Sequence, residues 1–452
     1  MEGNSAAPVT SSDRNVPVAI LLGGRGTRLG LRGLPKPMVG FLGRPLLEYT
    51  VGHLRDQGFG DLVFLSGYMS QVIEQHFGDG SQFGVSIRYS VESEPLGTAP
   101  AAAAAAGLLG DEFLLIYGDV AFDIDLNRFL QRARSFGGHG TLAVHPNDHP
   151  EDSDLVVCDP ETHRISAFLR KPHDPGLRAR NLVNAGAYYL RSKIFEAIPT
   201  GVDLCDWGRD VFPAAVRDGY DLYAYRTAEY LKDIGTPARL KKTEGHFESG
   251  FVAARSMRRA QRAVFLDRDG VINREIDGVH RASDMQCLEG VAEIISQINK
   301  SPFISIGVTN QPDIAKGFMG FDDLEDVHVE MDRQLVAKGG FLDDLLFCPH
   351  HPKKGFHGEV TELKRDCSCR KPAPGMLTAA AALYNIDLSQ SYMIGDRVTD
   401  LMAGRAAGAK TILVHRNGAP TLPDEAIDLT LADHVARDLA AAWSFINQQA
   451  LS

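Results

Sequence analysis

The sequence predicts an α/β protein built from two three-layer domains, and three observations lead to this fold class. Short apolar runs bounded by Gly, Asp or Asn recur along the chain with helix-like stretches between them, which is the pattern of buried parallel strands that alternate with helices. The pattern lapses near residue 250 and then resumes. The length of 452 residues fits two or three domains at about 100–200 residues each.

The apolar runs mark the predicted strands, and the lapse marks the domain boundary. The runs of the first half are Val16–Leu22, Leu62–Leu65, Phe113–Tyr117, Thr141–Val144 and Ala185–Leu190. Those of the second half are Ala263–Leu266, Ile304–Val308, Leu345–Phe347, Tyr392–Ile394 and Thr411–Val414. We predict domains over residues 16–245 and 263–445, joined by a locally basic linker, 246–262, that forms a solvated helix. Residues 1–15 are polar, and we expect a disordered lead-in rather than a secretory signal.

Composition and charge exclude several classes of protein. With 44% hydrophobic residues the chain can build sizeable cores, so it is neither a disordered nor a fibrous protein. The formal net charge of -11 argues against a nucleic-acid binder, and no stretch approaches the ~18–20 apolar residues that would cross a membrane. Cys158, Cys205 and Cys287 are scattered, as buried thiols would be, which indicates a reducing compartment, and we expect the cytoplasm. We expect small molecules as partners, and a homo-oligomer stays open.

A glycine-rich segment follows the first predicted strand and is the first candidate site. It reads GGRGTRL over residues 23–29, and LPKP follows over residues 34–37. Glycines after a strand let the backbone turn tightly and bring N–H groups up to phosphate oxygens. Arg28 and Lys36 would supply cations for the charge that builds up on phosphates. The spacing matches neither the dinucleotide-binding fingerprint nor the P-loop.

This string, with PKPM at residues 35–38, resembles the signature of the sugar-1-phosphate nucleotidylyltransferases. Three later segments match that family in order, namely Glu94–Thr98, Tyr117–Asp119 and Tyr230–Thr236, so that the resemblance covers about residues 16–245. It implies that a sugar phosphate attacks the α-phosphorus of a nucleoside triphosphate and expels pyrophosphate. Because both reactants are anions, a Mg²⁺ ion held by carboxylates would stabilise the transition state.

The resemblance also implies the roles of individual residues in this half. Asp119 and Asp233 would hold Mg²⁺, while Arg28 and Lys36 would act as catalytic cations. The family commonly has Glu directly before its Lys-Pro pair, whereas this chain has Arg170, which would favour a further anionic group on the sugar side. The implied substrate-binding residues are Leu22, Gly23, Gly24, Gly26, Thr27, Glu94, Gly97, Thr98, Gly118, Lys171, Asn184 and Gly186.

Two aspartates follow the first predicted strand of the second half. Asp267 and Asp269 come directly after Ala263–Leu266, so both side chains could project into one site. One carboxylate can attack phosphorus while the other exchanges protons with the leaving oxygen. We expect Arg268, which lies between them, to point elsewhere. By itself the pattern also fits a surface turn or a bare metal site.

Three further segments complete a set that resembles the four motifs of the haloacid-dehalogenase-like (HAD-like) phosphatases over about residues 261–440. These segments are Val308–Gln311, Arg370–Pro372 and Ile394–Asp400. With this second resemblance, both predicted domains are expected to have Rossmann-like folds: a nucleotidyltransferase fold followed by a HAD-like fold.

The HAD-like resemblance implies a role for each residue of the set. Asp267 would be the nucleophile and Asp269 the general acid/base, while Thr309 and Lys371 would stabilise the transferring phosphoryl group. The implied substrate-binding residues are Asn310, Gln311 and Arg370. The implied Mg²⁺ ligands are Asp267, the carbonyl of Asp269, and Asp396, with Asp400 supporting them from behind.

The second half also carries a Cys-x-His pair at residues 348–350 and a Cys-x-Cys pair at residues 367–369. Three thiolates and one imidazole make a closed tetrahedral zinc site without a position for a reacting water, so we predict a structural zinc. We place His351 beside this site rather than on the metal. The predicted zinc ligands are Cys348, His350, Cys367 and Cys369.

The strings DRDGVIN, CPHHP and CRKPAPGM narrow the phosphatase resemblance further. They are more similar to the heptose-bisphosphate 7-phosphatases than to the histidinol-phosphate phosphatases, which share the zinc motif. The chain departs from this group in two places. The loop of residues 352–366 is longer than expected, and Pro312 stands where the group has Ser.

Together the two resemblances imply consecutive steps toward an activated heptose. The phosphatase half would remove the 7-phosphate from D-glycero-D-manno-heptose 1,7-bisphosphate, and the transferase half would add a guanylyl group from GTP, giving GDP-heptose. In heptose pathways the glycine-loop type of transferase goes with GTP, and the His-x-Gly-His motif of the adenylyl branch is absent from this chain. Three alternatives stay open: other sugars such as mannose 1-phosphate, histidinol-phosphate hydrolysis, and one half that acts as a catalytically silent binding module.

Overall fold

The computed structural model describes residues 16–23, 29–30, 33–174, 176–415 and 429–451. The chain divides into two compact units. Unit 1 contains the chain up to His145 together with Ser153–His173 and Leu182–Ser256. Unit 2 contains Pro146–Asp152, Asp174–Asn181 and the chain from Met257 onward. Two short segments that the predicted boundaries assign to the first domain therefore belong to unit 2.

Unit 1 alternates strands and helices along the chain. Its strands are β1 (Val18–Leu21), β2 (Gly40–Phe41), β3 (Arg44–Pro45), β4 (Asp61–Ser66), β5 (Ser86–Val91), β6 (Glu112–Tyr117), β7 (Val120–Asp123), β8 (Gly140–His145), β9 (Leu155–Cys158), β10 (Ile165–Leu169), β11 (Val183–Arg191), β12 (Leu222–Arg226) and β13 (Tyr230–Asp233). Its helices are α1 (Leu46–Asp56), α2 (Ser70–Phe77), α3 (Thr98–Ala104), α4 (Ala106–Leu109), α5 (Leu126–Phe136), α6 (Phe212–Arg217), α7 (Pro237–Glu248) and α8 (Phe251–Ala254).

Most strands of unit 1 form one mixed sheet in the order β10-β9-β11-β6-β1-β4-β5, with β8 paired to β11 and β12 paired to β8. The strands β6, β1, β4 and β5 are parallel to one another. This confirms the predicted parallel strands β1, β4 and β6, whereas β5 is not among the predicted strands. The prediction for residues 185–190 is wrong in direction, because β11 runs antiparallel to both β6 and β8. An apolar run indicates that a strand is buried on both faces, but it does not indicate whether the strand is parallel or antiparallel to its neighbours.

Local sequence explains where helix α5 of unit 1 begins and ends. The Asp125 side chain accepts a hydrogen bond from the backbone N–H of Arg128 at 3.0 Å, which caps the first turn. Gly137 ends the helix with a φ of 74°, a conformation that glycine adopts without strain. Between these two residues the buried side chains recur at helical spacing and face the sheet; they are Leu126, Phe129, Leu130 and Ala133.

Unit 2 is built on a parallel sheet, with helices between most successive strands and one helix after the last strand. Its strands are β14 (Arg262–Leu266), β15 (Phe303–Asn310), β16 (Asp344–Cys348), β17 (Tyr392–Gly395), β18 (Lys410–Val414) and β19 (His434–Ala436). Its helices are α9 (Val291–Asn299), α10 (Pro312–Lys316), α11 (Phe321–Val336), α12 (Gly375–Tyr384), α13 (Val398–Ala407) and α14 (Leu439–Leu451). The order is β16-β15-β14-β17-β18-β19, so β14 lies centrally between β15 and β17. The predicted fold class, two Rossmann-like α/β domains, is confirmed.

The predicted linker, 246–262, is less solvated than expected. It contains the end of α7 and the short helix α8, and Arg255, Ser256 and Met257 are buried. The Arg255 guanidinium donates to the Ala228 carbonyl at 3.2 Å, and the Ser256 hydroxyl donates to Asp123 at 2.8 Å. Burial removes these polar side chains from water, and the hydrogen bonds to protein acceptors compensate for that loss.

Within the part of the chain that the structure describes, no helix is both long enough and apolar enough to span a bilayer.

Candidate active sites

The first candidate site lies where the paired strands β7 and β13 approach the turn that holds Lys36. Asp119 directly precedes β7, and Asp233 ends β13 opposite Val120. The backbone N–H of Ile234 donates to the carbonyl of Asp119 at 3.2 Å. Strand pairing therefore brings together the two aspartates that the sequence analysis predicted as one magnesium site, although they are far apart along the chain.

Lys36 lies between these two aspartates. Its Nζ forms an ion pair with the Asp119 carboxylate and lies 3.1 Å from Oδ1 of Asp233. Burial opposes the charge of Lys36 most strongly, but the nearby carboxylates of Asp119 and Asp233 outweigh this effect and raise the pKa of the ammonium. Arg239 adds a second cation, with Nη1 at 3.0 Å from Oδ2 of Asp233. The arrangement can therefore present positive charge, and two carboxylates, to a phosphate ligand.

Only part of the predicted phosphate-binding loop is described. Leu22 and Gly23 lie just after β1, where the Leu22 N–H donates to the Leu65 carbonyl at 2.9 Å. Gly118 packs closely against this strand end, since a Cβ on it would lie 2.7 Å from Cδ2 of Leu22. A larger residue at Gly118 would push Asp119 away from β1. The predicted residues that lie outside the described part of the chain are Gly24, Gly26, Thr27 and Arg28.

The predicted base-reading segment turns sharply into helix α3. Gly97 has a φ of 105°, and a Cβ on it would lie 2.3 Å from the carbonyl oxygen of Cys205, so only glycine fits there. Thr98 begins α3, and its hydroxyl donates to Oδ2 of Asp206 at 2.7 Å and accepts from the N–H of Trp207 at 3.1 Å. The start of α3 is thus held in place by the Cys205–Trp207 segment.

Asp206 is a residue that the sequence analysis missed. Its Oδ2 also accepts a hydrogen bond from the Tyr117 hydroxyl at 3.1 Å, and its Oδ1 accepts from the N–H of Arg209 at 3.0 Å. Burial raises the pKa of Tyr117 well above its ordinary value, so the hydroxyl keeps its proton and remains a donor. Asp206 belongs to no motif, and an isolated acid in a polar loop does not indicate a site in the sequence.

Glu94, which the sequence predicts as a substrate-binding residue, is exposed.

The predicted sugar-phosphate residues lie on β11 and on the loop before it. Asn184 Oδ1 accepts from the N–H of Gly186 at 3.4 Å, where the register of β11 against β8 shifts. Gly186 has a φ of 75°, and a Cβ on it would lie 3.5 Å from the Tyr117 ring. Lys171 is exposed, and its backbone N–H donates to Asp154 at 3.1 Å. Gly186 therefore connects Asn184 to Tyr117, whose hydroxyl contacts Asp206.

Arg170 replaces the acid that the transferase family commonly carries before its Lys-Pro pair. Its guanidinium donates to the carbonyl of Arg209 and lies 3.4 Å from the carboxylate of Asp210. Asp210 is also paired with Arg209, at 2.7 Å, so the two guanidinium groups share one carboxylate. The predicted preference of Arg170 for a further anionic group stays a prediction.

The second candidate site lies at the carboxyl ends of β14, β15 and β17. Asp267 follows β14, Thr309 lies near the end of β15, and Asp396 follows β17. Because β14 lies between β15 and β17, these three ends meet at one edge of the sheet, where α/β proteins bind their ligands. Carboxylate oxygens of Asp267, Asp396 and Asp400 all lie within 4.8 Å of one another, which is close enough to hold one metal ion.

Lys371 is the buried cation of this second site. Its Nζ lies 2.8 Å from Oδ1 of Asp267 and 2.6 Å from Oδ1 of Asp400, and it donates to the Val308 carbonyl at 2.9 Å. Burial opposes its charge most strongly, but the two carboxylates outweigh this effect and raise its pKa. The backbone of Lys371 is fixed as well, since its N–H and carbonyl both pair with the Asn310 carboxamide at 3.0 Å.

The carboxylates of this site outnumber the cation between them. Burial first, and then the charge of Asp400, raise the pKa of Asp267 well above its usual range and that of Asp396 to about 7. Oδ1 of Asp396 is buried and has no hydrogen-bond partner. A divalent cation bound by Asp267 and Asp396 would satisfy this oxygen and relieve the repulsion. The donor set therefore fits the Mg²⁺ ion that the sequence predicts.

Asp269 points to a different set of partners. Contrary to the expectation that Arg268 points elsewhere, its guanidinium grips the Asp269 carboxylate, with Nη2 at 2.9 Å from Oδ2. Asn273 and Gln311 each donate to the same carboxylate, at 3.0 and 2.9 Å. The alternation of side chains along an extended strand does not apply here, because the chain turns at Gly270, which has a φ of 82°.

The Thr-Asn-Gln segment is engaged with the protein itself. The Gln311 amide donates to the Thr309 hydroxyl at 2.8 Å as well as to Asp269, so it links the end of β15 to the acid. Thr309 is buried. Arg370 donates to the carbonyl of His350 at 3.2 Å. The substrate contacts of Asn310, Gln311 and Arg370 stay predictions.

The predicted zinc ligands converge in unit 2. Sγ of Cys369 lies 3.2 Å from Sγ of Cys348, 3.3 Å from Sγ of Cys367 and 3.4 Å from Nδ1 of His350. The hydrogen bond between Cys369 and Cys348 is the largest cause that lowers the pKa of Cys369, to about 5. Three sulfurs and a ring nitrogen this close together match the donor set of a closed zinc site. His351 lies beside this group, with Nδ1 at 3.2 Å from the Lys353 carbonyl.

Fold and site together define a class: a protein with one nucleotidyl-transfer unit and one phosphatase unit. The nucleotidyl transferase family model matches residues 18–249, and the HAD-hydrolase-like model matches residues 368–442. The chain belongs to the nucleotidyl transferase family and, through its HAD-like half, to the family of the D-glycero-β-D-manno-heptose-1,7-bisphosphate 7-phosphatases. Both predicted reaction types, nucleotidyl transfer and phosphomonoester hydrolysis, are confirmed.

Two named relatives support the assignment of the second half, and one solved structure is reported beside them only as similar to this chain. The 7-phosphatase of Escherichia coli (strain K12) is 37% identical over 187 residues, which is 41% of this chain and 94% of that protein. The enzyme of the same name from Vibrio cholerae is 38% identical over 177 residues, or 39% of this chain and 93% of that protein. The crystal structure of HddC from Yersinia pseudotuberculosis, complexed with GMP-PN, is 27% identical, covers 51% of this chain and 99% of its own, and has a TM-score of 0.44.

We predict that Gly270→Ala removes most of the phosphatase activity. The added Cβ would lie 2.0 Å from Oδ2 of Asp396, at a φ of 82°. Such backbone strain costs about 1–3 kcal/mol, and Asp396 must also move, so we expect kcat for phosphate release to fall at least about tenfold. Phosphate release from heptose bisphosphate measures the effect.

Gly290→Ala is the matched control for this substitution. Gly290 has a φ of 79° in the same unit, but no atom lies within 4 Å of the position of its Cβ. It should therefore reproduce the backbone strain and leave kcat within about twofold of wild type, as expected for a surface change. Equal losses for both variants would show that displacement of Asp396 is not the cause.

Proposed function

We propose that this chain carries out two consecutive reactions of nucleotide-activated heptose synthesis. It removes the 7-phosphate from D-glycero-D-manno-heptose 1,7-bisphosphate and then transfers a guanylyl group from GTP to heptose 1-phosphate, giving GDP-heptose. One observation carries the proposal: a half related to named heptose-bisphosphate 7-phosphatases over nearly their full length shares a chain with a nucleotidyltransferase half. The product of such a phosphatase is a sugar 1-phosphate, which is the substrate class of the transferase.

In the phosphatase reaction, a carboxylate oxygen of Asp267 attacks the phosphorus of the 7-phosphate and the bond to the sugar oxygen breaks. Lys371, at 2.8 Å from Asp267, stabilises the negative charge near the attacking group. Asp269 gives a proton to the departing oxygen and later takes one from the water that attacks the phosphorylated Asp267. Mg²⁺, when bound at Asp267 and Asp396, would supply further charge neutralisation on the phosphoryl oxygens.

In the transfer reaction, an oxygen of heptose 1-phosphate attacks the α-phosphorus of GTP and pyrophosphate leaves. Lys36 lies between Asp119 and Asp233 and brings a fixed positive charge to the reacting phosphates. The two carboxylates would hold Mg²⁺, which neutralises the repulsion between the two anionic reactants. Tyr117 stands two residues before Asp119 in the chain, and its hydrogen-bonded partners Asp206 and Thr98 would contribute to substrate binding with it.

The choice of guanine rests on the glycine-loop type of transferase together with the heptose relatives. Among nucleotide-activated heptoses, this type is associated with GTP. Mannose 1-phosphate as the sugar, or another nucleoside triphosphate, is the main competing assignment. Histidinol phosphate is the competing substrate of the phosphatase half, and the named 7-phosphatase relatives favour the heptose.

The decisive experiment offers heptose 1,7-bisphosphate and GTP to the purified full chain and analyses the products by mass. We expect phosphate, pyrophosphate and GDP-heptose, with more GDP-heptose when pyrophosphatase is added. Asp267→Asn should abolish phosphate release and still form GDP-heptose from heptose 1-phosphate. Asp233→Asn should lose nucleotidyl transfer and still release phosphate, because the two sites share no residue. Either activity is expected to fall by about 10²-fold or more.

Three outcomes would contradict the proposal. Faster pyrophosphate release with mannose 1-phosphate, or with ATP, would replace the sugar or the nucleotide. Faster phosphate release from histidinol phosphate would replace the phosphatase substrate. Loss of both activities in either single variant would contradict independent sites.

We also propose that the thiol cluster binds a structural zinc ion. Its four donor atoms leave no position for a reacting water, and Cys369 stands next to Arg370 and Lys371 in the chain. The ion would thus hold the loop that carries the buried cation of the phosphatase site.

We predict one zinc ion per chain by elemental analysis of the metal-replete protein, and none in Cys369→Ser. Phosphate release should fall about tenfold or more in this variant. Loss of groups that hold the residues of a site in place typically lowers activity by about 10–100-fold. Nucleotidyl transfer should stay unchanged. Cys287→Ser, a thiol of the same unit outside the cluster, is the control and should keep both zinc and activity. Zinc retained by Cys369→Ser would argue against the site.

A further inference from the structure

The carboxylate of Asp269 is held by more donors than a mobile acid/base needs. The Arg268 guanidinium contacts both of its oxygens, with Nη2 at 3.0 Å from Oδ1 and 2.9 Å from Oδ2, and Nε at 3.2 Å from Oδ1. Asn273 donates to Oδ1 and Gln311 to Oδ2. Paired N–H donors on one carboxylate fix its plane as well as its position. The orientation of Asp269 is therefore determined from several sides.

Arg268 is itself enclosed, so it cannot reach a substrate. Only 1% of the Arg268 residue surface is exposed. The third nitrogen of its guanidinium, Nη1, faces His328 on α11 and lies 3.4 Å from Nε2 of that ring. A buried guanidinium needs acceptors for its N–H groups, and the imidazole lone pair is one of them.

His328 can accept a hydrogen bond from Arg268 because its imidazole ring is uncharged. Burial in the main, and then the charges of Arg180 and Arg268, lower the pKa of His328 well below its usual value. Arg180 is compensated by Asp332, with Nε at 2.7 Å from Oδ2, so the charged groups near the ring are in balance. An uncharged imidazole beside two arginines stabilises their arrangement, whereas a protonated ring would repel both.

We propose that Arg268 is a positioning residue for phosphate release: it aims the Asp269 carboxyl group at the oxygen of the departing sugar, and His328 supports it from behind. This inference rests on the role of Asp269 in the proposed function. In the step concerned, the bond between phosphorus and the sugar oxygen breaks as Asp267 forms its bond to phosphorus. The proton of the Asp269 carboxyl group passes to the sugar oxygen, leaving a carboxylate that later accepts a proton from water. Arg268 exchanges no proton and touches no reacting atom.

A double-mutant cycle on the full chain tests the proposal, with heptose 1,7-bisphosphate as substrate. A general acid contributes about 10²–10⁴-fold, so Asp269→Asn should lower kcat by an amount in that range. Arg268→Met should lower kcat by about 10–100-fold, with KM within about twofold, because the acid is present but misaligned. In the Asp269→Asn background, Arg268→Met should cost less than about threefold more, because the group that it positions is already gone.

Three controls separate positioning from damage to the fold. Arg333→Met, an exposed arginine on the same helix as His328, should stay within about twofold of wild type. Nucleotidyl transfer, measured on the same preparations, should be unchanged. If Arg268→Met does not fold, Arg268→Lys serves in its place: it keeps the charge, loses the paired donors, and should show a smaller loss that again disappears in the Asp269→Asn background.

The possible results lead to different conclusions. Losses that multiply in the double variant would overturn the positioning role, because Arg268 would then act independently of Asp269. A large rise in KM with unchanged kcat would overturn it as well. Full activity in Asp269→Asn would instead remove the acid/base role of Asp269, and with it that part of the proposed function.

Discussion

In each unit, the candidate site depends on a lysine ammonium that lies among carboxylates at the ends of strands. Lys36 lies between Asp119 and Asp233 in unit 1, and Lys371 lies between Asp267 and Asp400 in unit 2. Burial alone would lower the pKa of either lysine, and in both cases the carboxylates outweigh it. Like charges could not be held this close in a poorly solvated place without such a cation. Two different motifs meet the same physical requirement.

The surroundings of Lys371 follow from this requirement, because a cation that balances buried acids must not move. Its backbone is paired with Asn310 on both sides, and its ammonium is anchored to the Val308 carbonyl. The Cys369 thiol cluster lies just before it in the chain. A loop would otherwise be the most mobile part of the unit. Here it is tied at both the side chain and the backbone.

The parallel strands and the aspartates at their ends can be predicted from the sequence because apolar runs and short motifs are local features. The apolar runs mark the parallel strands, and each predicted aspartate stands where a run stops, so Asp267 and Asp396 meet as the sheet order requires. Other features depend on packing between distant segments. The antiparallel direction of β11 leaves no mark in an apolar run. Asp206 becomes part of a site only through contact with Thr98. Arg268 turns back to Asp269 because the chain bends at Gly270, which the DxD spacing does not reveal.

The two candidate sites differ in the balance between their carboxylates and their cations. In unit 2 three carboxylates, those of Asp267, Asp396 and Asp400, face one ammonium, that of Lys371. With all four ionised the site carries two surplus negative charges, which matches one divalent cation, and the raised pKa of Asp396, to about 7, is the response expected when the surplus is not compensated. In unit 1 the two carboxylates already face Lys36 and Arg239. The Mg²⁺ ion proposed for unit 1 would therefore be required mainly by the charge of the triphosphate, whereas the one proposed for unit 2 would be required by the carboxylates of the protein itself.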